Sequence, residues 1–227
     1  MSRHVLPIQI EGESGRVATE LERRIVSGEA RSGSLLNQSK IAAELGVSRV
    51  TVRDALQALA STGLVVLNGR AGASVAPMSI ADLEEIFELR FNLEPLAARL
   101  GTPNLHRSDL VRMERAMVAM EEAPSDVEWV THNATFHTII YKRARRPRLV
   151  ALVRTLRVLM DRYFAHALNA SIRNPAAAAE HRAILEGARR GDAALAARLT
   201  ADHIAGSHDI LVRMLLEQAD NADMELI

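Results

Sequence analysis

Apolar residues recur along the first third of the chain at helical spacing, in short stripes separated by glycine and serine. Val17, Leu21 and Ile25 form one stripe, which stops at Ser27-Gly28. Ile41 and Leu45 mark a second, running from about Asn37 to Gly46, where a left-handed cap costs a glycine little. After the break Gly46-Val47-Ser48, Val52, Leu56 and Leu59 share the face of a third, with Ser48 placed to cap its start and Thr62-Gly63 to close it. The pattern then changes period. Leu64–Leu67 is β-prone, Asn68-Gly69 signals a turn, and Ala73–Ala76 can pair back, which predicts a hairpin behind three helices.

From residue 79 onward the helical period continues without a strand signal. Six helices are expected, at about 79–100, 107–122, 126–145, 147–170, 175–190 and 192–219, broken at Gly101-Thr102-Pro103, Pro124-Ser125, Arg146-Pro147, Asn174-Pro175 and Gly191-Asp192. The predicted fold class is therefore mostly α: an N-terminal winged helix-turn-helix over residues 1–76, with 1–14 flexible, and an all-α antiparallel bundle over 77–227. Pro77 marks the hinge between them.

Composition narrows the chemistry. The 227 residues are long enough for two ordinary domains, and the 28 Lys+Arg exactly offset the 28 Asp+Glu, so any nucleic-acid contact has to come from a local cluster. The absence of cysteine excludes disulfides and thiolate metal sites. The start of the chain shows neither a signal-peptide core nor a membrane span, and a cytoplasmic protein is the simplest expectation.

One such cluster sits at the start of the third helix. Arg49 and Arg53 are four apart and face outward while Val52 and Leu56 point into the core. An arginine fork there can donate two hydrogen bonds to guanine in a major groove. Thr51, Ser39, Lys40 and Gln57 are expected to make phosphate or weaker base contacts, and Arg70 and Gly72 in the wing to approach the minor groove or a phosphate. An isolated arginine pair would more often be a solvated helix face. The surrounding helix, short turn, helix and hairpin favour a reader of double-stranded DNA.

The elements ELERRIVSGEARSGSLL, KIAAELGVSRVTVRDALQALASTGLV and GRAGASV resemble the winged helix-turn-helix of the GntR family over Leu21–Val75. That resemblance implies base reading by Arg49 and Arg53 and a minor-groove approach at Gly72. Two positions depart from the family pattern: Ser32 stands where a proline is usual, and Ser39 where an arginine is often found.

In the second half, residues 86–98, 133–137 and 180–184, then Gly191-Asp192 and His203, resemble the FCD effector domain of the FadR subgroup. Asn133 and His137 lie one helical turn apart on one face, and His181 and His203 fall on the last two helices. The resemblance implies that they converge on a divalent metal, with Asn133 in place of the family's usual aspartate. Three imidazoles suit Zn²⁺ or Ni²⁺. Arg90 is implied to face the effector pocket, where a guanidinium can grip a carboxylate, although an intrahelical pair with Glu94 is the simpler alternative. Arg154, Arg157 and Tyr163 are further candidates that the sequence does not rank. His4, His106, His132, His166 and His208 are expected to be surface or packing residues.

The function expected is a transcriptional regulator of the repressor type, acting as a homodimer on a pseudo-palindromic operator and modulated by a small organic acid bound with Arg90, Asn133, His137, His181 and His203. No catalytic residue is assigned. The alternatives are a metal-dependent enzyme, for which no His-Glu-x-x-His motif supplies a base, and a constitutive DNA-binding scaffold whose histidines only pack.

Overall fold

The computed structural model describes residues 12–69, 72–166 and 175–224. The chain divides into two compact units between Ser79 and Ile80. The first holds α1 (Gly12–Val26), α2 (Gln38–Leu45), α3 (Arg49–Ser61) and the strands β1 (Val65–Leu67) and β2 (Ala73–Val75). The second holds α4 (Ile80–Gly101), α5 (Arg107–Glu122), α6 (Asp126–Lys142), α7 (Pro147–His166), α8 (Pro175–Arg189) and α9 (Ala193–Met224).

The stripe residues of the first unit are its core: Val17, Leu21, Ile25, Ile41, Val52, Leu56 and Leu59 are all buried. Residues 12–14, expected to be flexible, form the first turn of α1. Asn37 caps α2 by accepting from the Lys40 N–H at 3.0 Å, and Ser48 caps α3 by accepting from the Thr51 N–H at 3.0 Å. Between the two helices Gly46 takes φ 65°, a left-handed conformation that lets its N–H close on the Ala42 carbonyl. These caps fix how α3 leaves the turn.

β1 and β2 pair antiparallel in the register Val65↔Val75, Val66↔Ser74 and Leu67↔Ala73. Their connection runs from Asn68 to Gly72, whose N–H and carbonyl bond at 2.8 Å, so the turn is longer than a two-residue Asn-Gly hairpin. A bridge at Leu35↔Ser74 adds an outer edge that periodicity did not reveal, since it involves a single residue pair.

In the second unit α4 is the central helix, packed against α6, α7 and α9. It stays helical through Pro95 and buries Leu83, Ile86, Phe87, Ala97 and Ala98. A 3-10 turn at Thr102–Asn104 leads to α5. The expected bounds shift where capping competes with periodicity. α6 ends at Lys142 rather than 145 because the Arg143 N–H turns back to Ile140 and Tyr141, and Arg145 adopts a left-handed φ of 52°. α9 continues to Met224, past the expected 219. The expected end of α7 at 170 lies outside the described residues. Among those residues no helix is long and apolar enough to cross a membrane.

Candidate functional site

In the first unit Arg49 and Arg53 are exposed at the start of α3. Among the described residues Arg53 pairs with Asp54 at 3.9 Å, a loose contact that leaves the guanidinium available. Ser39 and Lys40 are exposed in the first turn of α2, and Gln57 is exposed one turn beyond Arg53. Thr51 differs from its neighbours: its hydroxyl lies 2.8 Å from Ser48 Oγ and donates to Glu13 Oε2 at 3.1 Å. A phosphate reaching Thr51 therefore has to displace a carboxylate. Gly72 has φ 93°, a conformation that favours glycine, at the end of the wing loop; Arg70 lies outside the described residues.

The second unit gathers Asn133 and His137 from α6, His181 from α8 and His203 from α9 into one buried cluster. His137 Nε2 is 3.2 Å from His181 Nε2, and Asn133 Oδ1 is 2.9 Å from the same His181 atom. The other ring nitrogens face protein. His181 Nδ1 lies 2.7 Å from the Ala177 carbonyl, and His203 Nδ1 lies 2.7 Å from Glu180 Oε2. His137 Nδ1 lies 3.3 Å from the Tyr141 hydroxyl, which itself donates to Glu94 Oε2 at 2.8 Å and so has only lone pairs left for the imidazole.

An acceptor at Nδ1 favours the proton there and a lone pair on Nε2. The protein thus brings three imidazoles, their Nδ1 atoms engaged from behind, together with an amide oxygen, a donor set that suits a divalent cation. Burial pushes the His137 imidazolium well below its ordinary range, and burial with the nearby His203 lowers His181 to about 3, so both rings are neutral and able to ligate at neutral pH. Two nitrogens sharing an ion at about 2.0–2.1 Å would stand roughly 3 Å apart at ordinary coordination angles. The His137–His181 separation fits that requirement, and it is also the length of a hydrogen bond between the two rings.

Beside this centre lies a buried charge cluster. Arg90 Nε donates to Glu94 Oε1 at 2.5 Å, and Arg157 from α7 donates to Glu94 Oε2 at 3.1 Å. Both arginines are buried, at 3% and 5% exposure. The intrahelical Arg90–Glu94 pair is therefore real, yet it lies inside the bundle beside the histidines rather than on a solvated face. Burial alone would raise the Glu94 carboxyl, but Arg90, Arg157 and the Tyr141 hydrogen bond outweigh it and hold it near 2. Glu94 lies between the two guanidiniums and Asp161 also acts on Arg157, yet Arg90 NH1 and Arg157 Nε have no hydrogen-bond partner among the described residues. A buried guanidinium donor without a partner is costly, so the cluster is suited to receive an anion.

Of the unranked candidates, only Arg157 joins this cluster. Arg154 is exposed, and the Tyr163 hydroxyl donates to Asp82 at 2.6 Å. Glu94, Tyr141 and Glu180 are functional neighbours that the motif residues did not reveal. Glu94 alone carried a signal, as an acid one turn from Arg90 on a largely apolar helix. His208 stacks edge-on against Phe87 at 4.8 Å, the packing role expected of it.

Residues 85–206 match the FCD domain family, and residues 13–75 match the bacterial regulatory proteins of the gntR family. The chain is 31% identical over 162 residues to the gluconate operon transcriptional repressor of Bacillus licheniformis, an alignment covering 70% of this chain and 66% of that one. It is 30% identical over 183 residues to a probable D-xylose utilization operon transcriptional repressor of Paenarthrobacter nicotinovorans, covering 80% of each. The solved structure of E. coli McbR/YncC superposes with a TM-score of 0.80 at 23% identity, over 91% of this chain and all of that one, and supports the fold. With the winged reader head and the helical body both matched, the chain belongs to the GntR family of bacterial transcriptional regulators and carries an FCD effector domain.

Proposed function

We propose that this regulator belongs to the FadR subgroup and acts in the cytoplasm as a homodimeric repressor, each head reading one half of a pseudo-palindromic operator. One three-helix head covers only a half-site, so paired heads supply the length a specific site needs. Arg49 and Arg53 read bases, Ser39, Lys40 and Thr51 position the backbone, and the wing residues Arg70 and Gly72 approach the minor groove. The domains are residues 1–76 and 77–227, and the chain has no catalytic step.

The body is read as a receptor for a small organic acid. The observation that carries this reading is the buried pair of arginines with unmatched donors beside three converging imidazoles. His137, His181 and His203, with the Asn133 amide oxygen, would hold a divalent ion such as Zn²⁺ or Ni²⁺, which when bound offers a position to a carboxylate oxygen. Arg90 and Arg157 would take the far end of the same ligand. The neutral ligand set leaves the ion's charge uncompensated, which favours an anion. One relative is named for a gluconate operon, so gluconate, a sugar carboxylate, is the first acid to try.

The test is a gel shift of purified protein on its own upstream DNA, with and without Zn²⁺ and a panel of organic acids. Specific retardation relieved by an acid supports the reading. Failure to retard any fragment from that region, with every acid and metal tried, sinks it.

A further inference from the structure

We propose that Glu180 is the positioning residue that supplies the negative charge missing among the metal ligands, acting through His203; the inference rests on the metal reading above. The three imidazoles are held from behind by unlike partners. His181 Nδ1 meets a backbone carbonyl, His137 Nδ1 meets a tyrosine hydroxyl, and His203 Nδ1 meets the Glu180 carboxylate at 2.7 Å. Only the last carries a charge.

The ligands themselves carry none, because Asn133 presents a neutral amide. Glu94 is the other acid within reach, one hydroxyl removed through Tyr141, but its charge is already matched by Arg90 and Arg157. Among the described residues no arginine or lysine pairs with Glu180, whose one ion-pair partner is His203. A carboxylate on an imidazole N–H draws the proton toward itself, fixes the tautomer and raises electron density at the opposite nitrogen. His203 Nε2 is thereby the strongest donor of the three.

The local geometry keeps the carboxylate in place. Glu180 precedes His181 on α8, so the residue that orients one ligand is adjacent in sequence to another. Gly206, three positions after His203 on α9, lies beside it: a Cβ there would meet Glu180 Oε1 at 3.4 Å, an ordinary contact. The Glu180 side chain is 36% exposed, so shortening it opens no sealed cavity.

The experiment uses the full chain freed of metal, titrated with Zn²⁺ against a chromophoric chelator, as wild type, Glu180→Gln and Glu180→Ala. Glu180→Ala is expected to weaken Zn²⁺ binding by about 10–100-fold, the range seen when such supporting partners are removed. Glu180→Gln keeps an acceptor for the Nδ1 proton but not the charge, and is expected to fall between. The melting temperatures of the metal-free proteins serve as the structural readout and should agree. Equal Zn²⁺ affinity in all three proteins overturns the role of Glu180 while leaving the metal centre standing, and wild-type affinity in Glu180→Gln overturns the charge argument. A lowered metal-free melting temperature with unchanged affinity reduces Glu180 to a tie between α8 and α9, which also overturns it. Absence of Zn²⁺ binding by the wild type removes the metal reading and this inference together.

Discussion

His137 Nε2 and His181 Nε2 stand 3.2 Å apart inside the bundle, while the Nδ1 atoms of the two rings face the Tyr141 hydroxyl and the Ala177 carbonyl. Two neutral ring nitrogens at that distance share either one proton in a hydrogen bond or a cation, and the metal reading takes the second. Saturating Zn²⁺ or Ni²⁺ is therefore expected to raise the melting temperature, with about 2.7 kcal/mol of added stability when free metal is a hundredfold above its dissociation constant. The double substitution His181→Ala plus His203→Ala should abolish that shift. A differential scanning measurement with and without metal decides it, and an unchanged wild-type transition returns the histidines to packing.

Base reading by α3 predicts a different signature. Arg49→Ala and Arg53→Ala should each lose about 1–3 kcal/mol of operator affinity and relax specificity, with no change in melting temperature because both side chains are exposed. Competition titrations with operator and scrambled duplex measure both quantities. Equal loss on the two duplexes would show phosphate contact only.

Glu94 sits between two guanidiniums, so neutralising it removes the carboxylate both of them bond, leaving Asp161 acting on Arg157. Glu94→Gln is expected to destabilise the body by about 3–5 kcal/mol, as when one member of a buried ion pair is removed. The loss should be partly reversed by a small carboxylate that enters the cluster. Arg90→Ala, by contrast, leaves Glu94 with Arg157 and Tyr141 and should weaken the acid ligand while keeping the metal. Thermal unfolding across a series of acetate and gluconate concentrations separates the two variants.

The sequence made the fold legible wherever one face of an element is buried. Val17, Leu21 and Ile25 or Val52, Leu56 and Leu59 announce their helices because burial imposes the 3.6-residue period, and caps at Asn37 and Ser48 are local chemistry. The ends of α6 and α9 were less legible, since they depend on tertiary packing beyond the last turn. Within the site, residue types with rare chemistry stood out: Asn133, His137, His181 and His203 converge as the family resemblance implied. Glu180 did not stand out, and Glu94 stood out only as a partner for Arg90. Each is one acid among many on a helix, and only the fold shows that Glu94 meets Arg157 63 positions away and Glu180 meets His203 23 positions away.

Asp109 gives the body a pH dependence of definite sign. Its side chain is buried; burial alone would raise its carboxyl, but Arg143, the His106 N–H and Arg112 outweigh this and hold it well below the ordinary carboxylate range. A carboxyl depressed on folding contributes stability that is full above its unfolded value of about 3.9 and is lost as the pH falls through the folded value. Stability should therefore drop below about pH 4 in the wild type. Asp109→Asn should be less stable at pH 7, with a gap to wild type that narrows as acid is added. Urea denaturation at pH 7 and pH 3 checks this, and a gap that stays constant would rule out the titration.

Two helical glycines make opposite predictions that test how α4 meets α6. A Cβ on Gly101 would stand 2.0 Å from the Ile140 carbonyl oxygen and 3.0 Å from its carbon, both backbone atoms that cannot rotate away. Gly101→Ala must therefore push α4 and α6 apart, at a cost of about 1–3 kcal/mol or more, as in other overpacked cores. For a chain of this size each kcal/mol lowers the melting temperature by roughly 2–4 °C. Because α6 carries Asn133 and His137, the same displacement should also weaken metal binding. Gly187 on α8 is the control: a Cβ there meets Ala196 N and Leu195 Cγ at 3.5 Å, ordinary contact distances. Gly187→Ala should be neutral or stabilising by up to about 1 kcal/mol, the helix-propensity difference between the two residues. If Gly101→Ala melts no lower than Gly187→Ala, the close approach of α4 to the Ile140 carbonyl is not a feature of the folded protein.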